Sequence, residues 1–423
     1  MGARMNHVEL SKIAAYVEDR ISSDAVSLEG FVTTDSLLQN KAGREQAQKL
    51  PPNKVTLTKY KAGDVLVANI RPYLRKIWQA DCAGGCSADV LAFRARPHHS
   101  PDFLYSVLLQ DAFFDHAMAG KKGVKMPRGD KNQIMRYLVP DISGDEELRI
   151  GHLIASISQK IELNRQLNDN LEAMAQALYD YWFVQFDFPD ENGKPYKSSG
   201  GKMVWNEVLK REIPEGWAAY SIRDIVTTSH KGITPSYCEK SEVLVLNQKC
   251  VRRGKVSFDD ARFHNQDAKR VAIEERALKA FDTLVNSTGA GTLGRVGLFV
   301  RSSHAYTVTD SHMVRLSAKQ SVCLPTILYL SVYQYEPYLL ASATGSTGQA
   351  ELDKGVLLDN IKIALPSTST QEKIEKIVRS CFEKIATLSE EIKTLTKQRD
   401  FLLPLLMNGQ VQVKPLNYRL TAD

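Results

Sequence analysis

Cysteine is scarce in this sequence. Six among 423 residues, at 82, 86, 238, 250, 323 and 381, are too scattered for a disulfide framework and read as reduced thiols. Cys82 and Cys86 near His98 and His99 lack a second ligand pair at finger spacing, so no metal site is expected. Long apolar runs are absent too. No stretch of 18 apolar residues occurs, and Met1 to Arg20 has no signal-peptide core, which points to a cytoplasmic chain without a membrane partner. Catalytic signatures are missing as well. Gly294 is followed by Arg295 and Val296 rather than a P-loop lysine, and there is no G-x-S-x-G, H-E-x-x-H, kinase set or Asp/Asn-Pro-Pro-aromatic motif. The nine histidines form no spaced constellation, and no catalytic residue is expected. A net charge of +6 permits nucleic-acid binding without requiring it. With 43% hydrophobic and 25% charged residues, the chain has the composition of a folded globular protein.

What the chain does have is a repeat of itself. Ile150, Ile154, Ile157, Ile161, Leu171, Leu178 and Trp182 follow an alternating four–three spacing. The same spacing returns 224 positions later as Ile374, Val378, Cys381, Ile385, Leu388, Ile392, Leu395, Leu402 and Leu406. A mean period of 3.5 is a coiled-coil seam, and its recurrence marks two copies of one unit. Leu10 and Ile13 answer Ile222 and Ile225; Asp64-Val-Leu-Val67 answers Asp282-Thr-Leu-Val285; Gly120 and Gly123 answer Gly345 and Gly348; Tyr137-Leu-Val-Pro140 answers Ile363-Ala-Leu-Pro366. The offsets drift inside the heads and settle in the helices, so insertions fall in head loops. Ser143-x-x-Glu146 and Ser369-x-x-Glu372 fit capping boxes. Helices are expected over about 145–183 and 370–407, packed antiparallel because neither can bury so long a seam alone. Asn164 and Asn168 interrupt the first seam, either to fix register or at a widened, wet stretch. The expected organisation is α+β: a head over 1–144, a long helix over 145–188, a linker and second head over 189–368, a second long helix over 369–410 and a tail over 411–423. The two heads stand in pseudo-two-fold repeat.

Gly289-Ala-Gly-Thr-Leu-Gly294 is a literal G-x-G-x-x-G with Asp310 beyond it, the spacing of a dinucleotide fingerprint. That motif needs a following helix, yet Val296-Gly-Leu-Phe-Val300 reads as a strand. The first copy has Ile70-Arg-Pro-Tyr-Leu-Arg-Lys-Ile77 at the same place. Basic residues gather at 121, 122, 125, 128, 131 and 136, against the single acid Asp130, and again at Lys249, Arg252, Arg253 and Lys255. Each knot alone could be a solvated loop; two at matching levels favour phosphate contacts.

The wording of the heads resembles a known family. Tyr60-Lys-Ala-Gly-Asp-Val-Leu-Val-Ala-Asn-Ile-Arg-Pro-Tyr-Leu-Arg-Lys-Ile-Trp78, Gly84-Gly-Cys-Ser-Ala-Asp-Val-Leu91 and Leu246-Asn-Gln-Lys-Cys-Val-Arg-Arg-Gly-Lys-Val256 are similar to target-recognition domains of type I restriction–modification specificity subunits. Leu163-Asn-Arg-Gln-Leu-Asn-Asp-Asn-Leu-Glu172 resembles that family's central helix. The resemblance covers nearly the whole chain. It implies a non-catalytic reader of a split, asymmetric site in double-stranded DNA. It further implies that the helices space the heads and dock two methyltransferase subunits and a translocating restriction subunit. S-adenosylmethionine would belong to the methyltransferase, and no cofactor to this chain. The docking helices would use Ile150, Ile154, Ile157, Ile161, Leu171, Leu178, Ile374, Val378, Ile385, Leu388, Ile392, Leu395 and Leu402.

Candidate base readers are the forked or planar donors Arg71, Tyr73, Arg75, Gln248, Arg252 and Arg253, since Arg on guanine and Gln on adenine make bidentate pairs. Lys121, Lys122, Lys125 and Arg128 are candidate phosphate contacts. Surface salt bridges are the alternative for each. The rival readings are a single-chain enzyme, a coiled-coil scaffold that binds no DNA, and the specificity subunit of another methyltransferase-based phage-defence system.

Overall fold

The computed structural model describes residues 6–121, 123, 125–289, 291–342 and 351–414. Lys122, Gly345 and Gly348 lie outside the described residues. The expected α+β class is found, in two copies. Strands Ala14–Tyr16, Val90–Ala95, Val65–Ala68 and Ile77–Gln79 form an antiparallel sheet in that order. Val226–Lys231, Met313–Ala318, Asp282–Asn286 and Val296–Phe299 form its counterpart. The strands Val65–Ala68 and Asp282–Asn286 are buried along their whole length, which is why they read as continuous runs and not as alternation. Helices Pro101–Leu108 and Asp111–Ala119 in the first head, and Pro325–Gln334 and Glu336–Ala341 in the second, follow the sheet; Pro101 and Pro325 stand at helix starts, where no N–H is needed.

Each head closes on itself. His7–Glu9 pairs with Leu138–Pro140, and Ala218–Ser221 with Lys362–Leu365, so the last strand of a head leads into its long helix. A second sheet differs between the copies. Its order is Arg20–Ser22, Thr56–Tyr60, Gly84–Cys86, Phe31–Val32 in the first and Tyr237–Cys238, Arg262–His264, Val243–Leu246, Tyr306–Thr309 in the second. This is where the sequence offsets drift.

The long helices are Gly144–Tyr179, continued by a π turn over Asp180–Val184, and Thr368–Met407. Ser143 caps the first through Oγ, 3.3 Å from the Glu146 amide. The second begins earlier than the capping box at Ser369 suggests. Ser367 is its cap, accepting from the Thr370 amide at 3.4 Å, because the preceding strand ends at Leu365 and leaves Ser367 next to the first free turn. The helix runs through Pro404 and stops where Gly409 turns left-handed (φ 67°), with Gly409 and Gln410 amides closing on the Leu406 and Leu405 carbonyls.

The chain divides into two compact units, Met1–Gln166 with Ser389–Asp423, and Leu167–Leu388, and the division falls inside both long helices. Antiparallel pairing is visible within each. In the first unit Ile150 and Ile154 share a core with Leu403, Leu406 and Met407, while Asn164 Nδ2 donates to Glu391 Oε2 at 3.0 Å. In the second, Ala175, Tyr179 and Trp182 share a core with Ile374, Val378 and Cys381. The seam residues named from the sequence are all buried or half-buried, so most of their surface is covered within this chain. Besides Asn164 and Asn168, the seam passes through Ala175 and Arg399, and all four are buried.

The stretch expected as a linker is built structure. Met203–Asn206 and Arg211–Pro214 form a hairpin. Phe188 stacks on Tyr196 at 4.7 Å and lies 5.1 Å from Trp217, beside Trp182 and Phe186. Gly, Ser and charged residues are abundant in it, but a few aromatics supply enough apolar area to tie it down. No helix among the described residues is long and apolar enough to cross a membrane.

Candidate nucleic-acid interface

In the first head the site starts where the strand Val65–Ala68 ends. The Asn69 amide donates to Asp89 O at 2.8 Å and the Arg71 amide to Pro127 O at 2.8 Å, while Ile70 bridges Arg128. Two basic segments some fifty residues apart in sequence are thereby laid side by side. Pro72–Leu74 is a single 3₁₀ turn held between Arg71 (φ 53°) and Arg75 (φ 51°), both left-handed. Left-handed backbone costs a side-chain-bearing residue on the order of 1 kcal/mol, and such strain gathers at working sites. Arg71, Tyr73, Lys121, Lys125 and Arg128 are exposed, and so is Met126 beside them. Arg128 is 3.0 Å from Asp89 and stays mostly open to solvent. Arg75 is half-buried, 3.1 Å from Asp111.

The second head repeats this backbone plan with other side chains. The Ser287 amide donates to His312 O at 2.8 Å, Thr288 bridges Glu351, and the Leu352 amide donates to Ser287 O at 2.8 Å. The Asn286 amide donates to the Arg295 carbonyl as the Ala68 amide does to that of Lys76. On that correspondence Gly289 (φ 105°) stands where Arg71 does and Gly294 (φ 79°) where Arg75 does. The G-x-G-x-x-G is therefore a turn between two strands whose glycines supply left-handed backbone, and the strand Val296–Phe299 follows it. Asp310 is buried, its carboxyl raised by desolvation, and it accepts from the His312 amide at 3.0 Å. A dinucleotide site has neither its helix nor its acid.

Gln248 lies over this turn. A Cβ at Gly289 would collide with its Oε1, so the glycine is needed for space as well as for φ. Gln248 O accepts from Asn286 Nδ2 at 2.8 Å. Arg252 and Arg253 belong to a neighbouring hairpin in which Arg252 pairs Lys255 and the turn residues Arg253 and Gly254 both have positive φ, the primed geometry that suits strand twist. Arg295 joins the two pieces, donating to Val251 O at 3.3 Å and Gly291 O at 2.7 Å. Sequence reasoning missed Arg295; aligning Lys76 with it through the repeat would have found it. Lys255, counted in the basic knot, lies 3.0 Å from both Asp169 and Glu172 on the first long helix. Burial works against its ammonium, and the two carboxylates outweigh burial and hold its pKa up.

Residues 214–397 match the family model of the type I restriction modification DNA specificity domain. The MjaIX type I restriction enzyme specificity subunit of Methanocaldococcus jannaschii is 24% identical over 327 residues, covering 74% of this chain and 70% of that one. The HindI type I restriction enzyme specificity subunit of Haemophilus influenzae is 24% identical, with 95% and 98% covered. The chain resembles the type I specificity subunits along nearly its whole length. Its match to the family model takes in the second head from its closing strand and most of the second long helix, and the alignment to the HindI relative extends over both heads. Specificity subunits are the non-catalytic recognition components of their systems, which agrees with the expectation that this one is not an enzyme. The S subunit of a type I restriction–modification system from M. genitalium has the same fold, with a TM-score of 0.62 at 14% identity over 96% of this chain and 97% of that one.

Proposed function

We propose that this chain is a specificity subunit and reads a split, asymmetric site in double-stranded DNA, one half with each head. The observation that carries this reading is that one backbone scaffold presents different chemistry in the two copies: Arg71, Tyr73 and Arg128 in the first, Gly289, Gln248 and Glu351 in the second. A shared scaffold with unlike side chains is what two readers of unlike half-sites require. In the first head Arg71 and Tyr73 read bases, while Lys121, Lys125 and Arg128 contact phosphates. In the second, Gln248 reads from the glycine turn and Arg252 and Arg253 from the hairpin. Arg75, tied to Asp111, supports the reading turn rather than the DNA.

The chemistry is supplied by partners. Two adenine methyltransferase subunits, which hold S-adenosylmethionine, and a restriction–translocation subunit dock on the long helices, in the cytoplasm. Because most of the seam's surface is covered within the chain, docking falls to the apolar side chains left exposed on the helices, among them Leu163, Leu167, Met174, Ile377 and Phe401.

Methylome sequencing of cells carrying the partner methyltransferase, with and without this chain, tests the reading. A bipartite motif with modified adenines should appear only when both are present; a motif that persists without the chain would overturn it. Arg71→Ala should relax preference at one base pair of one half-site, at a cost of about 1–3 kcal/mol for a bidentate contact. A loss uniform over all sequences would make Arg71 a phosphate contact.

A further inference from the structure

The reading turn of the first head is held from behind. Asn40 (φ 55°) and Lys41 (φ 60°) are consecutive left-handed residues whose amides donate to Leu74 O at 2.9 Å and Arg75 O at 2.8 Å, the carbonyls that end the turn Arg71–Arg75. The Lys41 side chain is only 6% exposed, although lysine is among the residues least often buried. Its Nζ lies 2.8 Å from Asp111 Oδ1 and 3.6 Å from Asp400 Oδ1 on the second long helix. Asp111 uses its other oxygen for Arg75, at 3.1 Å. Asp400 also accepts from Arg399 Nε at 3.0 Å, and Arg399 is itself 2% exposed at a seam position. From the first long helix Arg165 donates to Ala42 O at 2.6 Å. One short turn, residues 40–42, thus joins the reading loop to both long helices, and a buried ammonium between two carboxylates is its fastening.

The second head also has a lysine link, built from a different place and exposed where Lys41 is buried. Lys255, on the hairpin that carries Arg252 and Arg253, spans to Asp169 and Glu172 of the first long helix. Two unrelated stretches of sequence arriving at one arrangement argue that a lysine link between reading element and helix is needed in each unit.

We propose that Lys41 is a positioning residue for base recognition in the first head: through Asp111 and Asp400 it fixes the turn Arg71–Arg75 against the long helices, and so decides which base pair Arg71 meets. The inference rests on the DNA-reading function proposed above. Lys41 is buried behind the turn, so it is not itself a DNA contact, and this separates it from the exposed lysines of the same head.

The test uses the full chain with its methyltransferase partner and measures binding to variants of both half-sites across a salt series. Lys41→Met keeps length and removes charge. Discrimination within the first half-site should fall about tenfold, the size of one misaligned bidentate contact. The second half-site should be read as before, and the slope of affinity against salt should hold, because no phosphate contact is lost. Lys41→Arg, which can still span both carboxylates, should restore discrimination. Asp400→Asn, at a half-open site, should reproduce the defect and serves in place of Lys41→Met if that variant does not fold. Unchanged discrimination in both variants overturns the inference. So does a slope lowered by about one unit with preference intact, which would make Lys41 a phosphate contact. An equal loss at both half-sites, with a lower melting temperature, would make it merely structural. Wild-type chain without any sequence preference would instead sink the DNA-reading function, and this inference with it.

Discussion

Exchanging residues 167–388 for the matching stretch of a type I specificity subunit is expected to change one half of the DNA site and leave the other half as it was. The cut points follow from packing. The core of the second head is continuous with the helix residues Ala175, Tyr179, Trp182, Ile374, Val378 and Phe382, so a graft limited to the head would leave these facing foreign partners. Truncating or mismatching several such side chains costs about 2–5 kcal/mol each, which is comparable with the stability of a domain. Cutting at Gln166/Leu167 and Leu388/Ser389, where the two compact units meet in sequence, carries the whole core along. The first head keeps its reading turn, its basic loop and the Lys41 fastening. Methylome sequencing of the chimera reads both halves at once, and a simultaneous change in both would sink modular reading.

The second large effect is expected from lengthening the helices together. Four residues inserted after Gln166 and four after Leu388 keep antiparallel partners opposite one another, whereas insertion near Ala175 in one helix alone would drive a fully buried position out of its core. Four residues add about 6 Å along a helix and about 40° beyond one turn. DNA rises about 3.4 Å per base pair along a strand. If the helices set the distance between half-sites, the preferred spacer should grow by one or two base pairs while both half-sites keep their sequences. Methylation that continues with an unchanged spacer would mean that the helices dock partners without measuring distance.

The long helices were legible because their signal is carried by spacing alone. Ile150 to Trp182 and Ile374 to Leu406 hold a four–three pattern that no other element would need, and the repeat at 224 positions made the second helix a copy of the first. The cap at Ser367 was not legible, since four hydroxyl residues follow Pro366 and only the end of the preceding strand selects among them. Arg399 escaped for a related reason. A periodicity search looks for apolar residues, and a buried arginine is stable there because Asp400 pairs with it at 2.9 Å. The hairpin over 203–214 was hidden by its composition, and its order depends on Tyr196 and Trp217 reaching Phe188.

The sequence by itself determined the two-copy plan, the α+β class, the paired helices and the resemblance to a specificity subunit, because each rests on local pattern or on wording repeated along the chain. Tertiary structure alone decided which residues share a site. It laid Arg71 beside Arg128, turned the glycine motif into a strand-to-strand turn, and withdrew Arg75, Lys41 and Lys255 into ion pairs. The physical reason is that a cation's role depends on what lies within a few ångströms of it. In a fold closed by strands from opposite ends of each head, those neighbours lie far away in sequence, as Asp111 does from Arg75 and Asp400 from Lys41.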